Sequence, residues 1–529
     1  MKILTVSEMR DVDRLTTERH GISQLALMES AGAAVARFVA AHFAPVDDRP
    51  IAVLCGKGNN GGDGFVAARV LHEMGAEPEL FLFGEPSELR GEAAESFKRI
   101  GSAAIKTASI RDAGSWEAAR ESVMGARIIV DALLGTGVRG AVEGAMAQSI
   151  ERVNQHDPLT RVVAVDIPSG VSGDTGAAGT PAMVADYTVT FTAPKIGMLG
   201  SSASPFVGRL SVAKIGSPPE LIEEMAKSNV RWLEPWEFRR VPFHRKADSN
   251  KGLYGHALIV AGSVGKAGAA AMAARGALRA GAGLVTVATP EPVLATVAGF
   301  APEIMTEPLH ATAAGTVARD VFDSGGFSRL LQGKNTLALG PGLTTHQETR
   351  QFVHAVIASR PSVPVILDAD GLNAFDGCAE KLRGPEMLAI TPHPGEMARL
   401  LGCTVKDVQA RRVEIALNTA AKWNAVVILK GNWTVIAAPD GRVWINSTGN
   451  PGMSTGGTGD VLTGMLAGLT AQFGAQKDWA ETLALGVYLH GLAGDLAAEE
   501  LGEAPLVASD LIRNIAHAFT QLRDALQAT

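Results

Sequence analysis

The chain has 529 residues, of which 46% are hydrophobic and 19% are charged. At about 100–200 residues per domain, this length predicts roughly two to four domains, and the composition excludes extended disorder. The formal net charge is −7 and Lys and Arg never occur in runs longer than two residues, so no nucleic-acid-binding surface is expected.

The cysteines and the apolar stretches indicate the compartment. Cys55, Cys378 and Cys403 are far apart, which favours a reducing environment and offers neither a disulfide framework nor a zinc site. Charges occur too early in residues 1–13 for a signal peptide, and no apolar stretch reaches the roughly 20 residues of a membrane span. We therefore expect a soluble cytoplasmic protein without membrane contact, and the apolar N-terminal helix leaves a homo-oligomer open.

The first half alternates predicted helices and strands. Residues 7–43 have helical spacing, and the apolar run Ile51–Cys55 predicts a strand of a parallel sheet that is covered on both faces. Further strands are predicted at 79–83, 127–131, 161–166, 187–191 and 210–214. The polar, irregular segment 218–232 then predicts a linker between one α/β domain at 1–217 and a second domain at 233–529.

A glycine-rich loop, Gly56–Gly64, follows the first strand and precedes a predicted helix at 65–71. Strand, glycine turn and helix in this order are typical of a phosphate-binding unit. The spacing does not match the Gly-x-Gly-x-x-Gly dinucleotide pattern. Asn59 and Asn60 offer amide donors and carbonyl acceptors, which favours contact with a ligand or a cation. A plain Asn-Gly turn is the alternative.

Two aspartates stand at the ends of later strands. Asp131 precedes a glycine-containing loop at 135–140, and Asp166 precedes another at 167–173. Because the carboxyl ends of parallel strands meet at one edge of a sheet, the three loops are expected to converge on a ligand site. Either aspartate alone could instead cap a helix or form a turn.

The second half continues the alternation of strands and helices. Strands are predicted within 254–263, 281–289, 336–339, 365–372, 388–396 and 425–434, and a small-residue helix is predicted at 268–278. His393 lies between two prolines, which predicts a rigid loop position. Lys430 ends an aliphatic strand, so its ammonium group is expected at the loop rim, either near a nucleotide phosphate or in solvent.

Residues 446–460 are the most distinctive stretch of the chain. Nearly all are small or turn-forming, and helical spacing resumes at Val461. Glycines before a helix let amide groups converge on an anion, which the helix dipole also favours. Asp460 is therefore a candidate base for a hydroxyl that attacks phosphorus, with helix capping as the alternative. No Gly-Lys-Ser/Thr follows, so this is not a P-loop.

The string Gly456–Asp460 resembles the Gly-x-Gly-Asp signature of the ribokinase-like superfamily. Taken with the other motifs in order, the whole chain resembles the bifunctional NAD(P)H-hydrate repair enzymes. The motifs similar to the epimerase family are Asn59–Asp63, Gly135–Gly140 and Asp166–Gly170, and those similar to the ADP-dependent dehydratase family are Gly340–Leu343, Thr391–Glu396, Lys430–Thr434 and Gly456–Asp460. The resemblance implies an N-terminal Rossmann-like three-layer α/β/α domain and a C-terminal ribokinase-like α/β domain.

The resemblance also implies the residues of both sites. In the first half, a hydrated dinucleotide (NADHX or NADPHX) would contact Asn59, Asn60, Gly61, Gly62, Asp63, Gly135, Thr136, Gly137, Val138, Arg139, Gly140, Ala141 and Asp166, and K⁺ would bind Asn60, Asp131 and Ser169. In the second half, the substrate would contact Ala269, Gly342, His393 and Asp460, and ADP would contact Lys430, Gly431, Asn432, Trp433, Thr434 and Gly459. Mg²⁺ is expected with any phosphoryl transfer, without an identified ligand.

The implied function is metabolite repair with small-molecule partners. The first domain would interconvert the R and S hydrates, with Asp166 as the candidate acid–base residue. The second would dehydrate the S hydrate at the expense of ADP, with Asp460 as base and the glycine amides stabilising the transferring group. An ordinary small-molecule kinase would instead release a stable phosphorylated product. A non-catalytic, ligand-sensing N-terminal half is a third hypothesis.

Overall fold

The computed structural model of the chain describes residues 1–137, 141–323, 325–383, 385–474 and 478–527. They form two compact units, Met1–Asn229 and Val230–Thr529. The division falls within the predicted linker 218–232, and that segment has regular structure on either side of it. Pro219–Met225 is a helix of the first unit, and Val230–Trp232 is a strand of the second sheet.

The first unit is built on a parallel sheet. Its described strands are β1 (Ile51–Cys55), β2 (Pro78–Leu82), β3 (Thr107–Ser109), β4 (Ile128–Ala132), β5 (Arg161–Val165), β6 (Tyr187–Phe191) and β7 (Arg209–Ala213). Their order is β3-β2-β1-β4-β5-β6-β7. The chain therefore leaves β1 in one direction along the sheet and resumes in the other at β4.

Helices cover both faces of this sheet. They are α1 (Val6–His20), α2 (Gln24–His42), α3 (Asn59–Glu73), α4 (Gly91–Ser102), α5 (Ala113–Met124), α6 (Gly144–Val153), α7 (Ser204–Val207) and α8 (Pro219–Met225). Alternate residues of β1 point to opposite cores: Val53 joins α2, α3 and α4, whereas Leu54 joins α5 and α6. The first unit is thus the three-layer α/β/α structure predicted.

Two boundaries in this unit differ from the sequence-based prediction. Residues 7–43 form two helices rather than one, because Gly21 ends α1 in the left-handed conformation at φ +71°. The glycine-rich segment after β1 is already helical from Asn59. Its glycines are close-packing positions rather than helix breakers, since a Cβ on Gly61 would lie 1.9 Å from the Gly56 carbonyl oxygen.

The second unit has a longer sheet. Its described strands are β8 (Val230–Trp232), β9 (His256–Val260), β10 (Leu284–Pro290), β11 (Met305–Leu309), β12 (Thr336–Leu339), β13 (Val365–Leu367), β14 (Leu388–Ile390), β15 (Ala425–Leu429), β16 (Val435–Ala437) and β17 (Val443–Ile445). The order is β11-β10-β9-β12-β13-β14-β15-β16-β17-β8. Pairing is parallel from β11 to β15, and β16 is antiparallel to both of its neighbours.

Helices again lie on both faces. They are α9 (Ala267–Arg279), α10 (Leu294–Ala298), α11 (Asp320–Asp323), α12 (Gly326–Leu331), α13 (Gln347–Ala358), α14 (Asp370–Asn373), α15 (Pro394–Leu401), α16 (Val405–Ala410), α17 (Arg412–Trp423), α18 (Thr458–Phe473), α19 (Trp479–Leu501) and α20 (Ala508–Gln527). One core holds α9 and α18 to α20, and the other holds α13 and α15 to α17.

Small residues let α9 and α18 approach each other closely. A Cβ on Gly464 would lie 1.8 Å from the Ala273 carbonyl oxygen, and one on Gly468 would lie 2.4 Å from that of Ala277. Glycine is therefore required where the two backbones cross. This contact fixes the position of the α18 N-terminus, and thus of Asp460, relative to α9. No helix in the described ranges combines the length and hydropathy that crossing a bilayer requires.

Candidate active sites

Each sheet reverses its strand order at one point, and such reversals are where open α/β sheets bind ligands. In the first unit the reversal lies between β1 and β4. In the second it lies between β9 and β12. The sequence-predicted residues collect around these two points.

A cluster of oxygen atoms lies beside the first reversal. The Asp131 carboxylate is fully buried and accepts hydrogen bonds from Ser169 Oγ at 2.6 Å and Ser169 N at 2.8 Å. Ser169 Oγ in turn accepts from Leu134 N at 2.9 Å. Burial raises the pKa of Asp131 to about 6, against the opposing effect of the Ser169 hydrogen bonds. The site therefore holds a desolvated carboxyl group with hydroxyl oxygen beside it.

Asn60 belongs to the same region. Asn60 is 8% exposed. A Cβ on Gly135 would lie 3.1 Å from the Asn60 Cβ, so Gly135 packs directly against the Asn60 side chain. The Asn60 Nδ2 atom is buried without a hydrogen-bond partner among the described residues. The structure therefore brings α3 and the loop after β4 together, as the motifs predict.

A cavity of about 620 Å³ opens at this reversal. The predicted substrate residues that line it are Asn59, Asn60, Asp63, Gly135, Thr136, Gly137 and Asp166. Gly61 and Gly62 lie in the same first turns of α3 but are buried behind its surface. Ala141 is exposed. Val138, Arg139 and Gly140 lie outside the described residues.

Asp166 turns the chain out of β5 at φ +65°, a conformation uncommon for residues with a side chain. Its Oδ1 atom forms an ion pair with Lys195 Nζ and accepts hydrogen bonds from Thr190 Oγ1 at 3.1 Å and Phe191 N at 3.3 Å. Lys195 is 1% exposed and also donates to Thr190 Oγ1 at 2.8 Å. The cavity thus contains a buried ion pair, which the sequence interpretation did not include.

Two further carboxyl groups share this cavity with Asp166. Burial is the largest effect on both: it raises the pKa of Asp13 to about 6 and that of Asp63 well above its usual range. Both also interact with the charges of Asp166 and Lys195. Lys195 lies four residues after β6, so the strand-end pattern that identifies Asp166 does not single it out. Asp13 lies on a helix that carries no motif.

In the second unit, α18 begins one turn earlier than the periodicity predicts, at Thr458. The N-cap is Gly457 at φ +95°, and no side chain caps the helix. The first-turn amide groups therefore have no intrahelical acceptor and remain available to an anion. Asp460 occupies this turn without capping it, and its carboxylate has no hydrogen bond among the described residues.

Asp460 carries a strongly perturbed carboxyl group. Burial raises its pKa to about 7, the carboxylates of Asp368 and Asp370 act in the same direction, and Lys430 and Lys266 oppose them. A carboxyl group that titrates near neutral pH is suited to proton transfer at that pH. This favours the base interpretation of Asp460 over a structural cap.

Lys430 does not extend to a rim, contrary to the sequence-based expectation. Its ammonium donates to Asp368 Oδ1 at 2.8 Å and lies 4.0 Å from Glu396. Burial alone would lower the pKa of Lys430, but the two carboxylates raise it. Asp368, 1% exposed, also accepts from Thr463 Oγ1 of α18 at 2.6 Å. This buried pair therefore connects β13, β15 and α18, the helix that carries Asp460.

Asp368 and Asp370 are functional candidates that the sequence interpretation missed. Asp370 accepts from Lys266 Nζ at 3.0 Å and Thr344 N at 2.8 Å. Ala369 between them has φ +49°, so the chain is strained where it turns the two carboxylates apart. The signal was present, because Asp368 directly follows an apolar strand, as Asp166 does.

The remaining predicted substrate residues border the second reversal. Gly342 is at φ +65°, and a Cβ there would lie 3.1 Å from the Ala269 Cβ and 2.9 Å from the Lys266 carbonyl oxygen. Ser263 Oγ donates to the Gly342 carbonyl at 2.7 Å and so joins the loops after β9 and β12. Ala269 and Gly342 therefore form one surface at the start of α9.

His393 is the N-cap of α15 rather than a free loop residue. Its Nδ1 accepts from Gly395 N at 3.0 Å, so the proton of the neutral ring lies on Nε2. Burial lowers its pKa, which the nearby Glu396 opposes. The ring is half exposed. His393 is thus fixed in orientation, and its Nε2 lies 3.6 Å from Glu396 Oε1.

The predicted nucleotide segment is a strained turn between β15 and β16. Gly431 is at φ +139° and Trp433 at φ +51°. Thr434 Oγ1 donates to the Gly431 carbonyl at 3.1 Å, and the buried Arg412 donates to the Lys430 carbonyl at 3.3 Å. A Cβ on Gly459 would lie 3.5 Å from Lys430 Nζ, so the Lys430 side chain reaches the α18 N-terminus.

Comparison with known proteins finds a separate family profile for each half of the chain. A family profile described as YjeF-related protein N-terminus matches residues 24–197, and one described as NAD(P)H-hydrate dehydratase matches residues 257–517. The dehydratase profile begins at β9, so each profile falls within one of the two units.

Curated relatives match over the full length of the chain. The bifunctional NAD(P)H-hydrate repair enzyme of Moorella thermoacetica is 42% identical over 100% of this chain and 98% of its own. That of Escherichia coli K12 is 35% identical over 96% and 92%. A solved structure of ADP/ATP-dependent NAD(P)H-hydrate dehydratase from Bacillus subtilis, co-crystallised with ATP and Mg²⁺, is 33% identical and covers 56% of this chain and 99% of its own, at a TM-score of 0.47. The chain belongs to the family of bifunctional NAD(P)H-hydrate repair enzymes.

Proposed function

We propose that the first unit interconverts the R and S hydrates of NADH and NADPH, and that the second unit dehydrates the S hydrate with ADP as phosphoryl donor, giving AMP and phosphate. The observation that carries the dehydratase half is Asp460, a carboxyl group with a pKa of about 7 in the uncapped first turn of α18. It combines a proton acceptor and an anion-binding helix end at one point.

The chemistry of dehydration fits this arrangement. The hydrated nicotinamide has a hydroxyl on the ring carbon next to nitrogen, and hydroxide is a poor leaving group. Asp460 would remove the hydroxyl proton as the oxygen attacks the terminal phosphorus of ADP. The α18 amides would stabilise the charge on the transferring group. The phosphate group of the resulting ester leaves readily, helped by the lone pair of the ring nitrogen, and loss of a proton from the neighbouring ring carbon then restores the dihydronicotinamide.

The surrounding residues support specific roles. We assign the nucleotide to the turn Gly431–Thr434 and to Gly459, and the nicotinamide ring to the Ala269–Gly342 surface and His393. Lys430 would act mainly by setting the electrostatic potential, because its ammonium is committed to Asp368 at 2.8 Å. Lys266 is the second cation near Asp460, and it is paired with Asp370.

A potassium ion fits the first unit. The Asn60, Asp131 and Ser169 side chains supply carbonyl, carboxylate and hydroxyl oxygens, the donors that hard cations prefer. The buried Asp131 carboxyl group is costly to ionise without a cation beside it. K⁺ would offset this cost and fix the loop that begins at Gly135. These three residues would hold the ion.

Mg²⁺ has no assigned protein ligand. In the described ranges, no group of three or more His, Cys, Asp and Glu side chains is placed to hold a metal ion. Mg²⁺ is ordinarily held by one or two carboxylates together with substrate phosphates. We therefore expect it to enter with the nucleotide.

The test follows reduced nicotinamide absorbance in a mixture of both hydrate epimers, with ADP, with ATP and without nucleotide. Full recovery with ADP, faster than spontaneous epimerisation, together with stoichiometric AMP and phosphate, is the expected result. A stable phosphorylated product would instead identify an ordinary small-molecule kinase. Equal recovery without nucleotide would contradict the role of phosphoryl transfer.

A further inference from the structure

Asp13 occupies the wall of the first-unit cavity opposite the sequence motifs. It lies on α1, and this helix precedes the residues 24–197 that the family profile matches. Backbone hydrogen bonds from Leu4 N to Pro194 O at 3.1 Å and from Ile196 N to Leu4 O at 2.9 Å hold the start of α1 beside Lys195. Arg10 donates to the Thr136 carbonyl at 3.2 Å. The chain therefore anchors α1 at two sides of the cavity.

The carboxyl group of Asp13 lacks partners. Its Oδ1 atom is shielded from solvent and has no hydrogen-bond partner among the described residues. A desolvated, unsatisfied carboxyl group costs free energy in the folded state, and such exceptions require an explanation. Burial and the neighbouring Asp166 carboxylate raise its pKa, and Lys195 opposes them. Asp13 lines the same cavity as Asp166 and Lys195.

Asp166 presents the complementary arrangement. All of its described hydrogen bonds, from Lys195, Thr190 and Phe191, end on Oδ1. The Oδ2 atom therefore remains for a substrate group. Because Lys195 pairs with Oδ1, Oδ2 is the atom of Asp166 that is placed to accept a proton. Asp13, further from the ammonium, is the group that can arrive protonated.

We propose that Asp13 and Asp166 form an acid–base pair that epimerises the substrate by opening and reclosing the ring at the hydroxyl-bearing carbon. This rests on the proposed function of the first unit. The substrate carbon bears both a hydroxyl and the ring nitrogen, so it is a hemiaminal. Loss of its configuration requires one of these bonds to break, and breaking the carbon–nitrogen bond releases no water and needs no co-reactant.

The proton transfers balance in both directions. Asp166 takes the hydroxyl proton, the oxygen electrons form a carbonyl, and the carbon–nitrogen bond breaks with its electron pair on nitrogen. Asp13 gives its proton to that nitrogen. After rotation of the freed aldehyde, the nitrogen attacks the opposite face, Asp13 recovers the N–H proton and Asp166 returns its proton to the oxygen. Both carboxyl groups end as they began. Lys195 is a positioning residue that holds Asp166 and its charge.

The test is Asp13→Asn, assayed by separating the two epimers chromatographically after starting from one of them. We expect the epimerisation kcat to fall about 100-fold or more, the typical contribution of a proton-transfer group, with KM little changed and ADP-dependent dehydration of the S epimer intact. Asp11→Asn is the matched control, because Asp11 lies on the same helix and pairs with Arg14 at 3.2 Å outside the cavity. Retention of more than about a tenth of the wild-type kcat by Asp13→Asn would overturn the proposal.

A second variant separates chemistry from folding. In Asp13→Ala, formate can enter the vacated space and supply the missing acid, so we expect added formate to raise the rate several-fold, and to leave Asp11→Asn unaffected. A slow variant that formate does not accelerate would assign Asp13 a structural role and reject the acid–base pair. If the wild-type chain fails to epimerise at all, the proposed function of the first unit fails instead.

Discussion

In the first unit, the strand ends near the topological reversal bear Asp131 and Asp166. The buried ammonium of Lys195 pairs with Asp166, and Asp13 and Asp63 lie near this pair. In the second unit, Asp368 follows β13 and Lys430 follows β15, and the two side chains form an ion pair. The reactive carboxyl group, that of Asp460, lies in the first turn of α18. The same parallel architecture thus supports two chemistries. A cavity with several carboxyl groups suits proton transfer, and a helix end with free amides suits phosphoryl transfer.

The largest expected effect separates the two units. Asp460→Asn removes the base but keeps the side-chain shape, so ADP-dependent dehydration of the S epimer should fall about 100- to 10,000-fold. Epimerisation by the same preparation should be unchanged, which serves as the internal control. Parallel loss of both activities would mean that the two sites are not independent. Substantial residual dehydration would remove Asp460 as base.

The Asp368–Lys430 pair should matter more for stability than the Asp370–Lys266 pair. Lys430→Gln leaves a carboxylate that is 2% exposed without its cation, which should lower the free energy of unfolding by on the order of 3 kcal/mol. Lys266 is 48% exposed, so Lys266→Gln should cost at most about 1 kcal/mol. Urea denaturation of both variants measures the difference. Equal losses of unfolding free energy in the two variants would show that burial does not determine how much each ion pair contributes to stability.

The pH dependence should also differ between the units. Because the pKa of Asp460 is raised to about 7, the base is protonated below that pH, and kcat/KM for dehydration should fall as pH decreases through 7. The folded state binds this proton more tightly than the unfolded state, so the contribution of Asp460 to stability falls as pH rises from about 4 to about 7. Asp460→Asn should therefore raise the melting temperature at pH 8 and leave it nearly unchanged at pH 4. A flat profile of kcat/KM between pH 6 and 8 would contradict the assignment.

Much of the fold could be predicted from the sequence, because a parallel strand buried on both faces is an unbroken apolar run. Ile51–Cys55 and Ala425–Leu429 are such runs, and both are strands with those bounds. The predicted start of α3 at residue 65 was wrong, because Gly56–Gly64 was interpreted as a loop, whereas the helix begins at Asn59. At Gly61 and Gly64 the glycine instead allows the helix to pack closely against the backbone of the turn and the side chains of the sheet.

The sites were less predictable than the strands. Motif positions identified Asp131, Asp166 and Asp460, and the structure brings each to a strand or helix end. The partners of these groups depend on tertiary packing, which local patterns do not encode. Lys195 meets Asp166 across 29 residues, and Lys430 meets Asp368 across 62 residues. Asp13 carried no signal at all, since a single acid on an amphipathic helix is usually a solvated surface residue.

If each unit performs its own half of one repair reaction, Asp166→Asn should separate the two halves. We would follow reduced nicotinamide absorbance from an equal mixture of both hydrate epimers with ADP. The wild-type chain should restore the full absorbance. The variant should consume the S epimer at the wild-type rate, stop near half, and then continue only as fast as spontaneous epimerisation allows. Full recovery by Asp166→Asn at the wild-type rate would contradict the account and place epimerisation elsewhere.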